Sequence, residues 1–249
     1  MSLEPGSDID DGPPDRLSAR VGDALGRQWQ LTTTAVGDLA RARGRPLRRR
    51  EAIGLSLGIA AWGNGVVVAG RITGQPEWLT LVGNPAGAVA AVLWMRRRGS
   101  SWTALGVSWP RFDRDRLPRV LTAAALAWTA AWLMAGLAGA RELSGLRLAR
   151  LIVGTALAEE VLHRGVLPAV WAATGSPART VVVANMVSFG AWHLAGATTG
   201  GTFHPLEVVG PAVGAVVLVW ARMRTGSVLA PAAGHLAGNI TGLGAVASS

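Results

Sequence analysis

The sequence predicts an all-α, polytopic membrane bundle of about seven spans, and three observations carry that expectation. Half of the 249 residues are apolar and only 16% are charged, too little charge for an ordinary soluble domain. Seven stretches are long and apolar enough to cross ~30 Å of hydrocarbon, near 52–70, 78–95, 119–139, 148–173, 178–198, 205–221 and 227–246. The arginines also sort by side, as cytoplasmic loops require. With the N-terminus inside, Arg41, Arg43, Arg45, Arg48, Arg49, Arg50, Arg96, Arg97, Arg98, Arg111, Arg114, Arg116, Arg119, Arg179, Arg222 and Arg224 fall on the inner side, against Arg71, Arg141, Arg147 and Arg150 on the outer.

In chain order, residues 1–50 read as a cytoplasmic tail. Met1 to Asp15 is acidic, holds Pro13-Pro14 and lacks the basic start and apolar centre of a signal peptide, so its composition is that of a disordered segment. From Arg16 to Arg43, Leu17, Val21, Leu25 and Trp29 recur every four residues, with Val36 and Leu39 beyond. This pattern fits an amphipathic helix on the membrane surface, with a loose cytosolic tether as the alternative. Residues 51–146 hold the first three spans and 147–246 the last four. Gly74-Gln75-Pro76, the arginine-rich segment 96–119, Gly175-Ser176-Pro177 and Arg222 to Gly226 are among the turn or charge signals between them. Asn84-Pro85 and Glu207 to Pro211 interrupt the second and sixth spans and leave an even number of crossings open. The expected location is the plasma membrane of a prokaryote.

The net charge of +9 would suggest nucleic acid in a soluble protein. Here the basic residues form short runs beside apolar stretches, which makes them topology signals and contacts for anionic lipid, with no nucleic-acid partner expected. The chain has no cysteine, which excludes disulfides, thiolate metal sites and a cysteine nucleophile.

Ionisable residues interrupt the apolar spans at three places. The fourth span contains Glu159, Glu160, His163 and Arg164, each costing about 2.5–3.5 kcal/mol when ionised in hydrocarbon, so something must offset them. Glu160 and Arg164, four apart with the acid first, suit a helical ion pair. Glu159 lies ~100° further round and cannot share that arginine equally. The fifth span carries Phe189 and His193 on one face, with Gly190 and Ala191 allowing close helix approach. The seventh carries His235 and Asn239, again four apart. Glu159 and His193 each lie seventeen residues from Ser176, so a hairpin returns the imidazole to the carboxylate's level. His235 and Asn239 are only nine and thirteen residues past Gly226, which in straight helices leaves them ~6–12 Å nearer the cytoplasm, a gap that tilt or a projecting hairpin must close.

E-E-x-x-x-R at 159–164, F-x-x-x-H at 189–193 and H-x-x-x-N at 235–239 together resemble the type II CAAX prenyl endopeptidase family, also called CPBP, over roughly residues 147–246. His163 departs from the pattern, standing where the family generally has an aromatic residue: it could be a spare ligand, a hydrogen-bond donor behind the site or a tolerated swap. The resemblance implies an intramembrane endopeptidase acting on a membrane-associated protein or peptide. In it Glu159 would take a proton from the attacking water, His193 would orient that water, and His235 and Asn239 would stabilise the oxyanion, while Glu160, Arg164 and Phe189 support the site. No cofactor is favoured, although Glu159, His193 and His235 could instead hold zinc in a two-histidine, one-carboxylate set. Two other classes compete: a non-catalytic membrane immunity or scaffolding protein that keeps the cluster as interhelical glue, and a small transporter using the acids as a proton relay. The substrate and the oligomeric state are not readable from the sequence.

Overall fold

A computed structural model describes residues 16–41, 45–109, 145–199 and 201–246. The expected acidic tail and the third span near 119–139 lie outside these. The described elements are α1 (Arg16–Arg41), α2 (Arg49–Thr73), α3 (Pro76–Arg97), α4 (Gly145–Ala149), a π-helical stretch (Arg150–Leu157), α5 (Ala158–Glu160), a second π-helical stretch (Val161–Val166), α6 (Leu167–Ala173), α7 (Ala178–Trp192), α8 (Leu206–Thr225) and α9 (Leu229–Val246). A two-stranded antiparallel ribbon, β1 (Thr198–Thr199) with β2 (Thr202–Phe203), joins α7 to α8.

Among the described residues α2, α3 and α8 are long and apolar enough to cross a membrane. α2 turns Ile53, Leu57 and Val68 outward and α8 does the same with Val209, Val213 and Val217, the outward apolar face that lipid requires. The interrupting prolines do not break the spans: Pro85 lies within α3 and Pro211 within α8, as neighbouring helices permit in membrane bundles. At the arginine-rich end, the Arg98 guanidinium pairs with Glu51 at 2.7 Å, and the Arg48 N–H donates to the same carboxylate at 2.8 Å, tying the start of α2 to the end of α3.

The rod from α4 to α6 is the centre of the molecule, where Val166, Leu167, Val170 and Ala172 are wholly buried. α3, α7, α8 and α9 pack around it, and α1 crosses α6 and α8. α1 is helical as its periodicity requires, but its C-terminal half is not a free surface helix: Thr32, Val36 and Leu39 are buried, whereas Val21, Leu25 and Trp29 remain exposed.

Two expectations change. α7 ends at Trp192, well short of residue 198, so His193 sits at the helix C-terminus and not within a span. The depth gap also closes, for a reason visible at Gly165. A Cβ there would lie 2.5 Å from the Leu105 carbonyl oxygen and 3.4 Å from Val228 Cγ1, so the turn between α8 and α9 abuts residue 165. The Val228 N–H also donates to the Gly106 carbonyl at 3.1 Å, fixing that turn to the loop after α3. α6 then runs on to Ala173, so its hairpin with α7 projects past the α8–α9 turn. Counted from this shared level, Glu159 is six residues back and His235 seven residues on.

Candidate active site

Two π-helical stretches bracket Ala158–Glu160, and each is anchored from a neighbouring helix. Asn84 Nδ2 of α3 donates to the Gly154 carbonyl at 2.9 Å, and Asn185 Nδ2 of α7 donates to that of His163. Widened turns of this kind leave carbonyls off the regular ladder and recur at functional sites. Here they fix the two carboxylates between amide clamps.

Glu160 is wholly buried, with an oxygen 3.2 Å from Arg164 Nη1, and the guanidinium also stacks over Phe189, its carbon 4.0 Å from the ring centre. The helical pair thus forms as its spacing suggests. Glu160 has a second partner that spacing does not reveal: His235 Nδ1 donates to Oε1 at 2.9 Å. One carboxylate therefore joins the rod, through Arg164, to α9, through His235. Glu159 points elsewhere, its Oε2 3.9 Å from His235 Nε2 and without a hydrogen-bond partner although buried.

His193 Nδ1 donates to the Phe189 carbonyl at 2.7 Å, which leaves its Nε2 as an acceptor. The end of α7 is held by Asn64 of α2, whose Nδ2 donates to the Ala191 carbonyl at 2.7 Å and whose Oδ1 accepts the Ala195 N–H. Asn239 Nδ2 donates weakly to Thr155 Oγ1 at 3.4 Å. A cavity of about 220 Å³ collects these groups: Glu159, His193, His235 and Asn239 all line it, together with Asn84, Thr155, Arg150 and Trp192. Gly63 also lines it, and a Cβ there would overlap the Trp192 indole at 2.3 Å, so only glycine leaves room for that wall.

His163 lies outside the cavity lining. Its Nδ1 donates to the Glu159 carbonyl at 3.1 Å, and its ring packs edge-on against Phe189 and Trp192, with centroids 4.9 and 5.1 Å away. It occupies an aromatic slot and is at the same time a hydrogen-bond partner behind Glu159. Asn64, Asn84, Thr155 and Asn185 are additions that the motifs did not indicate, although each is a lone polar residue in an apolar stretch and was legible to that extent.

Among the described residues no three His, Asp or Glu side chains converge as a metal-binding group. The 3.9 Å between Glu159 Oε2 and His235 Nε2 is wider than the roughly 3.4 Å between two donors of one tetrahedral zinc. As arranged, Glu159 and His235 stand somewhat wider apart than one shared ion would hold them. The site does hold an unpaired carboxylate oxygen, an imidazole acceptor and two further polar side chains around one space, which suits activation of a water molecule.

Residues 141–241 match the family model described as type II CAAX prenyl endopeptidase Rce1-like. No curated protein and no solved structure matches the chain.

Proposed function

We propose, from the match of residues 141–241 to the Rce1-like type II CAAX prenyl endopeptidase family model, that this integral membrane protein hydrolyses a peptide bond of a membrane-associated protein or peptide in the cavity at Glu159. The observation that carries the reading is the meeting of Glu159, His193, His235 and Asn239, from three separate helical segments, around one small cavity.

In the proposed reaction Glu159 takes a proton from water as the water oxygen bonds to the scissile carbonyl carbon. His193, with Nδ1–H committed to a backbone carbonyl, offers Nε2 to the second water proton and so orients the attack. His235, as an imidazolium with Nδ1–H on Glu160 and Nε2–H free to donate, and Asn239, through Nδ2–H, donate to the oxyanion, typically one of the larger contributions to such a reaction. Glu159 then returns its proton to the leaving nitrogen, the C–N bond breaks, and a carboxylic acid and an amine result, the acid's proton passing on to the amine to leave a carboxylate and an ammonium. Glu160 orients the His235 ring through Nδ1, and Arg164 holds Glu160 in place.

This water activation needs no metal, which also suits Asn239, a better oxyanion donor than zinc ligand. Chelation of purified protein separates the two versions: retained activity is expected, and loss restored by zinc would overturn the metal-free reading. A second reading, a non-catalytic membrane partner, draws on the buried Glu160–Arg164 pair, which could serve as interhelical glue. Expression of Glu159→Gln in cells decides between these classes. The peptidase reading expects a membrane peptide or small protein to accumulate uncleaved, whereas the partner reading expects no accumulation at normal abundance.

A further inference from the structure

Between α1 and the α7–α8 pair lies a second space that the proposed chemistry does not touch. It is a groove of about 650 Å³, lined by Leu25 and Trp29 of α1, Val182 of α7, and Val216, Val217 and Trp220 of α8. Glu159, His193, His235 and Asn239 lie outside its lining. Its walls are apolar, and Leu25, Trp29 and Val217 remain exposed along it. α8 is one of the spans, and Val216 lies ten residues before Gly226, ~15 Å in from the arginine-rich end. The groove therefore runs into hydrocarbon, and what fills it there is an alkyl chain.

The rim of the groove carries charge. Arg179 is exposed one turn before Val182, and Arg224 follows one turn after Trp220, its guanidinium carbon 5.9 Å from that ring's centre. A Cβ at Gly190 would lie 3.1 Å from Ala212 Cβ and 3.3 Å from the Val208 carbonyl oxygen, which sets the register of α7 against α8. Counted from that contact toward the arginine-rich end, Arg179 and Arg224 differ in depth by about one helical turn. Among the described residues neither has a carboxylate within ion-pair distance. Two guanidinium forks at the mouth of an apolar groove match a phosphate that carries an alkyl chain.

We propose that this groove binds one anionic phospholipid from the leaflet at the arginine-rich end, with an acyl chain between α1 and α8 and the phosphate at Arg179 and Arg224. The lipid then completes the docking of α1. Thr32, Val36 and Leu39 seat the C-terminal half of that helix directly on the protein, whereas Leu25 and Trp29 reach the bundle across the chain. The site is independent of the peptidase reading, because it shares none of the catalytic groups.

The test titrates full-length protein, delipidated in neutral detergent, with palmitoyl-oleoyl phosphatidylglycerol or with phosphatidylcholine of the same chains, and counts bound lipid by native mass spectrometry. Wild type is expected to bind one phosphatidylglycerol about tenfold or more tightly than phosphatidylcholine, the scale of a hydrogen bond to a charged group. Arg179→Gln/Arg224→Gln is expected to remove that preference. Arg49→Gln/Arg50→Gln, which changes two exposed arginines at the start of α2, is expected to keep it. Gly26→Leu fills the groove from α1, at a position where a Cβ meets nothing within 4 Å, and raises helix propensity. It is expected to weaken the tight phosphatidylglycerol by about tenfold or more without lowering Tm. Glycerol phosphate, the headgroup without chains, is expected not to displace the bound lipid. Equal affinity of wild type for the two lipids overturns the proposal, as does a preference lost equally in the Arg49/Arg50 variant. Tight binding retained in Gly26→Leu, or displacement by glycerol phosphate, overturns it too. So does a lipid-free wild-type dimer that Gly26→Leu dissociates, because a second copy of the chain then covers the groove.

Discussion

Removing one partner of the buried Glu160–Arg164 pair is expected to cost far more than removing both. Both side chains are 0% exposed, so Arg164→Ala leaves a carboxylate, and Glu160→Ala a guanidinium, with no counter-charge at that point in the core. Breaking a buried pair from one side costs about 3–5 kcal/mol, which for a chain of this size is a fall in Tm of roughly 6–20 °C. The double variant Glu160→Leu/Arg164→Met replaces the ions with apolar groups of similar volume, a change that is often neutral in itself. The loss of the acceptor for His235 Nδ1 remains and costs about 1–3 kcal/mol. The double variant should therefore melt above either single one, with a favourable coupling energy across the cycle. It should nonetheless turn over slowly, because nothing then orients the His235 ring. Thermal unfolding in detergent, followed by tryptophan fluorescence alongside turnover, gives all four corners. Strictly additive single effects, or single costs below about 1 kcal/mol, the range of exposed pairs, would refute the reasoning.

The other expectations concern close approaches and the placement of the imidazoles. Gly165→Ala drives a Cβ to 2.5 Å from the Leu105 carbonyl oxygen and should cost about 1–3 kcal/mol as an overpacked core does; Gly58→Ala, inside α2 with nothing within 4 Å, is its control in the same melts and should be neutral or stabilising by up to about 1 kcal/mol. Asn64→Ala removes both hydrogen bonds that hold the end of α7 and should lower kcat by about tenfold through His193, with rescue by Asn64→Gln no more than partial because the longer amide overshoots. Asn239→Ala should lower kcat by about 10²–10³-fold, the cost of one oxyanion donor, with little change in Tm. A drop in stability that matches the drop in rate would assign Asn239 a structural role instead.

The helical class and the polar cluster were legible because both rest on short-range rules: apolar runs of membrane length, and residues four apart sharing a face. Glu160 with Arg164, and Phe189 with the His193 backbone contact, follow from that spacing alone. The meeting of His235 with Glu160 did not, because it depends on how far the α6–α7 hairpin projects, and that is set by the seating of Val228 against Gly165. The early end of α7 was hidden for a similar reason, since the residues that stop it include Asn64 on another helix. The π-helical stretches depend on amides from α3 and α7, long-range partners that periodicity does not contain. Arg150 reads in sequence as an outer-side charge because position in the chain gives its depth but not the cavity it lines.

The central claim is that Glu159 activates water, and its most direct measurement is the rate of peptide hydrolysis by purified Glu159→Gln in the same lipid as wild type. Glutamine keeps the shape of the side chain and removes the base. Cleavage should fall by about 10²–10⁴-fold or more at unchanged Tm and unchanged membrane insertion, whereas a wild-type rate in that variant would contradict the account.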